Sequence, residues 1–142
     1  MELEGKVAVV TGAGRGIGTG IATVLAKHGA DLVLTDRDTA GAEETAAEIR
    51  KTGRKVLVLQ HDVTSWESTQ KVAETAIAEF GKVDILVTNA GVSKSVPFTE
   101  LTAEEWDRVN GVNAKGVFLS CRAFVPHMIE RKYGKIVNIS SM

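Results

Sequence analysis

Two hydrophobic periodicities alternate along this chain. Short, continuously apolar runs rich in β-branched residues fall at residues 6–10, 31–35, 55–59, 83–88 and 135–139, and each reads as a strand. Between them, residues 16–27, 39–51, 65–80 and 103–131 carry apolar positions three or four apart and read as helices. Thr64 with Glu67, and Thr102 with Glu105, have the spacing of a capping box at a helix start. Gly29, Gly53, Gly81 and Gly134 each follow a helical stretch, where a left-handed residue ends a helix at least steric cost. The strands do not alternate apolar with polar, as expected of strands covered on both faces. Strand-helix repetition with right-handed crossovers then predicts an α/β fold, a doubly wound parallel sheet of about five strands in one domain over residues 1–142.

Composition narrows the partners. With 44% hydrophobic and 25% charged residues the chain reads as an ordinary soluble domain, and a net charge of −1 gives no basic field to attract nucleic acid or an anionic membrane. The single cysteine, Cys121, allows neither a disulfide framework nor a Cys-based zinc site. No basic-then-apolar leader opens the chain, so a cytoplasmic location is expected.

In open parallel sheets ligands bind outside the carboxyl ends of the strands, so those ends were read for chemistry. After the first strand stand Gly12, Gly14, Gly16 and Gly18 at every second position, leading into a helix. Such a turn lets backbone approach a pyrophosphate closely, while the helix N-terminus offers free N–H groups and a positive dipole end. The spacing does not match G-x-G-x-x-G in any register. Asp36 ends the second strand, where a carboxylate accepts hydrogen bonds from an adenosine ribose and repels a 2′-phosphate. This favours NAD over NADP, although Asp36 or Asp38 could instead cap the next helix, and Arg15 and Arg37 would suit a 2′-phosphate. Asp62 and Val63 follow the third strand, and Asn89, Ala90 and Gly91 the fourth, facing the same crevice. There Asp62 could meet an adenine amino group, and the small Ala90 and Gly91 could admit a flat ring.

Taken together, Thr11-Gly12, Gly16-Ile17-Gly18, Asp62-Val63, Asn89-Ala90-Gly91, Asn113 and the run ending in Ser140-Ser141 resemble the compact, single-domain branch of the short-chain dehydrogenases/reductases. The resemblance implies a Rossmann-like fold and hydride transfer between a nicotinamide cofactor and a secondary alcohol or ketone, such as a polyol, sugar, small ketone or 3-oxoacyl group. It implies that the glycine loop, with Gly12, Arg15, Gly16, Ile17 and Gly18, holds the NAD pyrophosphate, Asp36 the ribose, Asp62 and Val63 the adenine, and Asn89, Ala90 and Gly91 the floor. By the same resemblance Asn113 holds a proton-relay water through its backbone, Ser141 polarises the substrate oxygen, and the enzyme is a homo-oligomer, dimer or tetramer, that uses apolar area at Val112, Val117, Phe118 and Val125. The family's tyrosine and its lysine four residues on would follow Ser141 by about a dozen residues, so this chain is expected to be the front part of a longer enzyme. Tyr133, with Val137 four residues later, does not replace them.

Two other functions fit part of the pattern. A Rossmann-like S-adenosylmethionine-dependent methyltransferase also combines a G-x-G-x-G loop with an acid after the second strand, and a noncatalytic nucleotide-binding module would need neither tyrosine nor lysine. The remaining conspicuous residues have ordinary readings. His28, His61 and His127 lack the spacing of a metal site and are expected on the surface or the crevice rim. Trp66, Trp106, Phe118 and Phe124 read as packing anchors, Cys121 as a buried inert thiol, and Pro126 as a kink or end of the last helix.

Overall fold

The computed structural model describes residues 1–141. Strands β1 (Val7–Thr11), β2 (Asp31–Asp36), β3 (Val56–Gln60), β4 (Ile85–Thr88) and β5 (Lys135–Asn138) form one sheet in the order β3-β2-β1-β4-β5. Every neighbouring pair is parallel. The chain builds outward from β1 to β3 and then crosses back to lay β4 on the other side of β1. Connections therefore leave β1 and β4 in opposite directions, which opens a crevice at their carboxyl ends.

Alternating side chains of the strands feed two cores. Ala8, Val10, Leu32, Leu34, Ile85 and Val87 pack with Ala22, Ala26, Ala42, Ala46 and Ile49 of helices α1 (Gly16–Lys27) and α2 (Thr39–Arg50). Val7, Val9, Val33 and Leu86 face Val72, Ala73 and Ala76 of α3 (Trp66–Phe80) and Phe124 and Met128 of α5 (Gly116–Arg131). Coverage on both faces holds for β1, β2 and β4, whereas β3 is half-buried and β5 exposed. On β5, Ile136 and Val137 remain 40% and 48% exposed, because no described residue packs beyond that edge.

The last predicted helix is not continuous. An α-helix, α4 (Ala103–Asn110), passes through a five-residue π-helical turn, Gly111–Lys115, into α5. The widened turn closes with the Gly116 N–H on the Gly111 carbonyl, one residue beyond the α-helical partner. Pro126 does not end α5, which runs on to Arg131 while Phe124 and Met128 anchor it on the sheet. Its left-handed end is Lys132 (φ 55°), not Gly134, whose missing Cβ instead gives room to the Met128 side chain. At α3 the cap is Ser65 rather than Thr64. Thr102 caps α4 as expected, but the Glu105 carboxylate turns outward to Arg108 instead of closing a reciprocal box.

Packing also redistributes the aromatic side chains. Phe124 is fully buried, whereas Trp106 and Phe118 are exposed and Trp66 stacks under the Arg122 guanidinium, 4.4 Å from its ring centre. Cys121 is half-buried, and burial pushes its thiol pKa up, so it stays protonated.

Candidate functional site

At the β1/β4 switch point lies a cleft of about 560 Å³. Gly12, Arg15, Gly16, Ile17, Asp36, Asp62, Val63, Asn89, Ala90 and Gly91 all line it. Gly18, Asn113 and Ser141 do not. Gly18 supports the loop from behind, Asn113 sits in the π turn and Ser141 follows β5 at the same end of the sheet.

The glycine loop owes its shape to two close approaches. Gly12 has a φ of 64°, and a Cβ there would come within 2.7 Å of the Ala90 Cα. At Gly18 a Cβ would strike the Gly12 carbonyl oxygen and lie 2.8 Å from Asn89 Nδ2. Helix α1 then starts without a side-chain cap, since Arg15 makes no capping bond, while Asp38, Ser65 and Thr102 cap α2, α3 and α4. Gly16 and Ile17 at its start line the cleft, and the N–H groups of a helix's first turn lack intrahelical partners and suit an anion.

Asn89 holds the crevice together. Its Nδ2 donates to the carbonyls of Thr11 (3.1 Å) and Gly12 (3.0 Å), while the Asn89 and Ala90 N–H groups donate to the Thr11 hydroxyl at 3.0 and 3.1 Å. The Asn89 amide thus joins the end of β4 to the glycine loop, with both of its N–H groups engaged there, while residues 89–91 border the cleft.

The two carboxylates come from neighbouring strand ends. Asp36 accepts from the Gly14 N–H at 2.9 Å and the Asp38 N–H at 3.2 Å. Asp38, not Asp36, is the N-cap of α2, which leaves Asp36 facing the cleft. Asp62 Oδ1 accepts from the Thr64 hydroxyl (2.7 Å) and N–H (3.0 Å). That hydroxyl bond, with the Thr64 N–H and Arg37 assisting, outweighs burial and holds the Asp62 carboxyl below the usual carboxylate range. Asp62 is thus ionised at neutral pH, with Oδ2 left to accept.

Thr35, Thr64, Val92 and Val112 also line the cleft, and sequence reasoning did not place them there; His61, expected on the surface or the crevice rim, lines it too. His61 is the largest correction. It stands at the crevice but buried beneath its wall, only 2% exposed, with Nδ1 3.0 Å from the Thr35 hydroxyl and Nε2 2.9 Å from the Thr69 hydroxyl. His127 is half-buried too, its Nε2 accepting from the Val83 N–H at 3.2 Å, and only His28 is exposed. Burial drives the His61 pKa down from 6.5 to about 4 against the raising effect of Asp62. The unfolded chain therefore takes up a proton below about pH 6.5 that the folded chain refuses until about pH 4, so folding stability drops through that interval. The loss approaches about 3 kcal/mol at its lower end. Urea melts between pH 7 and 4 will show it, and His61→Gln will flatten the dependence; a wild-type slope equal to that of the variant would contradict the assignment.

Asn113 grips the loop after β4 from the side. Its Oδ1 accepts from the Val92 N–H at 2.9 Å and its Nδ2 donates to the Val92 carbonyl at 2.7 Å, so the π turn is locked to the cleft wall. Tyr133 lies at the opposite end of the sheet, under the Lys6 ammonium 4.0 Å from its ring centre, far from any of these groups in the fold.

The match to known proteins decides what this arrangement is. The family model for short chain dehydrogenases covers residues 6–142. The chain belongs to the short-chain dehydrogenase family. Among short-chain dehydrogenases it is 41% identical over 139 residues to the D-threitol dehydrogenase of Mycolicibacterium smegmatis, spanning 98% of this chain and 54% of that protein. The structure of an NAD+-bound xylitol dehydrogenase superposes with a TM-score of 0.97 at 34% identity, over all of this chain and 55% of the other. A metagenomic short-chain oxidoreductase in complex with NADP gives a TM-score of 0.95 at 40% identity, over all of this chain and 65% of the other. The chain thus spans about half the length of the curated relatives it matches. Membership sets the methyltransferase alternative aside. Among the described residues no helix is long and apolar enough to cross a membrane.

Proposed function

We propose that this chain supplies the cofactor-binding part of an NAD-dependent oxidoreductase that interconverts a secondary alcohol and its ketone. The observation that carries the reading is the convergence of an uncapped helix N-terminus and two ionisable carboxylates, Asp36 and Asp62, on one cleft at the switch point. The residues fit a dinucleotide: N–H groups at the start of α1 receive the pyrophosphate, Asp36 the ribose hydroxyls, Asp62 Oδ2 the adenine amino group, and Val63 and Val112 the faces of that ring. Backbone at Ala90 and Gly91, with the exposed Ile17, borders the nicotinamide end. Bound nicotinamide supplies hydride chemistry. In this proposal Asn113 orders a proton-relay water through its backbone and Ser141 hydrogen-bonds the substrate oxygen. The domain as a whole then extends beyond residue 142, and the active enzyme is a cytoplasmic homo-oligomer. The polyol-acting relatives make tetritols and pentitols the first substrates to assay.

NAD is preferred to NADP because a 2′-phosphate would approach the Asp36 carboxylate, with Arg15 and Arg37 too exposed to compensate fully. Fluorescence titration will give NADH the tighter binding by about tenfold or more, and Asp36→Asn will narrow the gap by weakening NADH and strengthening NADPH. Equal affinities in the wild type would overturn the NAD assignment. No response to either nucleotide would overturn the cofactor reading itself.

A further inference from the structure

We infer that His61 is a positioning residue that sets the spacing between the two carboxylates gripping the adenosine end of the cofactor. The inference rests on the dinucleotide reading above. The backbone of His61 joins the two residues that carry those carboxylates, and its ring hydrogen-bonds to neither carboxylate. Its N–H donates to the Asp36 carbonyl at 2.9 Å, and Asp62 is its chain neighbour. The ring bridges two hydroxyls from different elements, Thr35 beside Asp36 on β2 and Thr69 on α3. Thr35 and Thr69 are both 0% exposed, so the ring's two nitrogens and both hydroxyls have no water to fall back on.

The glycine loop is clasped independently by the Asn89 amide and meets the bridged strand only at its edge. Ala13 donates its N–H to the Thr35 carbonyl at 3.0 Å, and Gly14 donates to the Asp36 carboxylate. On the far side, Ser68 of α3 accepts from the Asp62 N–H at 3.0 Å, so α3 carries the Asp62 loop directly as well as through the ring. One imidazole therefore ties the strand end that carries the ribose carboxylate and the loop that carries the adenine carboxylate to a common helix. A neutral imidazole suits this task, because it offers one donor and one acceptor to two hydroxyls that can each play either part. An apolar side chain of similar volume would fill the space but leave both hydroxyls unpaired, and the Asp36-to-Asp62 spacing would no longer be held before ligand arrives.

The test compares ligands that use different parts of the cleft. AMP needs both carboxylates, NADH needs them and the loop, and inorganic pyrophosphate needs the loop alone. His61→Leu is expected to weaken AMP and NADH by a similar factor of about tenfold while leaving pyrophosphate within twofold, at a temperature where circular dichroism shows the variant folded. Thr69→Val removes only the α3 anchor and gives a smaller loss in the same direction, which keeps the test informative if His61→Leu does not fold. His61→Gln, with a donor and an acceptor, restores part of the AMP affinity. A folded His61→Leu or Thr69→Val that binds AMP as the parent does overturns the inference, as does an equal loss for pyrophosphate, which would mark a general structural defect. If the parent chain binds none of the three ligands, the dinucleotide reading fails and this inference fails with it.

Discussion

Gly18→Ala will lower NADH affinity by about two orders of magnitude. A single methyl group there drives into the Gly12 carbonyl oxygen, with Asn89 Nδ2 at 2.8 Å and the Ala13 Cα at 2.9 Å on its other sides. None of these neighbours is a flexible chain end. Two are backbone, and the third is the amide that bonds both loop carbonyls. Overpacking of this kind costs about 1–3 kcal/mol, the upper end of which corresponds to about 100-fold in binding. The backbone shift that relieves it moves the N–H groups proposed to receive the pyrophosphate. Gly20→Ala, two residues along the same helix, is the matched control: a Cβ there meets nothing within 4 Å, and the helix gains propensity. Isothermal titration of both variants with NADH separates the cases. Similar affinities for the two would show that the loop geometry does not govern binding.

Asp84→Ala will produce the largest loss of stability, about 3 kcal/mol, without altering the cleft. Asp84 sits just before β4 at the opposite end of the sheet, with its side chain 0% exposed. Its carboxylate accepts from the Val7 N–H at 3.0 Å, from Arg131 at 3.0 Å and from Lys82 at 3.2 Å, so it fastens the start of β1 to the end of α5. Burial alone would raise its pKa, but the Val7 N–H, Arg131 and Lys82 together outweigh that and lower it. Truncation leaves a buried N–H and two partly buried cations without their acceptor. The melting temperature is expected to drop by about 10 °C, with NADH affinity unchanged at temperatures where the variant is folded. Because the folded-state pKa is depressed, the stabilisation is complete above the ordinary carboxylate range and disappears as pH falls through the folded value. In the wild type this acid loss adds to the one from His61, and in Asp84→Ala the Asp84 contribution is absent while the His61 part remains.

How much of this was legible beforehand follows from what each feature depends on. The strand ends could be read because phosphate and ribose binding demand particular residue types, so Gly12 to Gly18, Asp36 and Asp62 stood out against an apolar background. Their neighbours did not. Thr35 is one more β-branched residue in a strand, and nothing local separates a buried His61 from an exposed one; its environment comes from hydroxyls 26 and 8 residues away. Asp84 was similarly hidden inside an apolar run, since only the fold brings Arg131 to it across 47 residues. The π turn left no mark because nothing in the order of Gly111 to Lys115 sets a wider turn apart from an ordinary helical one, and the Asn113 side chain within it bonds Val92, 21 residues away in the chain. Asn89 was read as a floor for the cofactor, and its side chain proves to be an internal tie.

That tie bears on how the cleft meets its ligand. The gap between β1 and β4 is a seam where the two halves of the sheet part, and seams of this kind can breathe. With the Asn89 amide clasping two carbonyls across it, and the Thr11 hydroxyl taking two N–H groups in return, the width of the jaws is set by the protein's own bonds. On the dinucleotide reading proposed above, little protein is left to order at this seam, so the expected association is limited by diffusion and orientation rather than by rearrangement of the host.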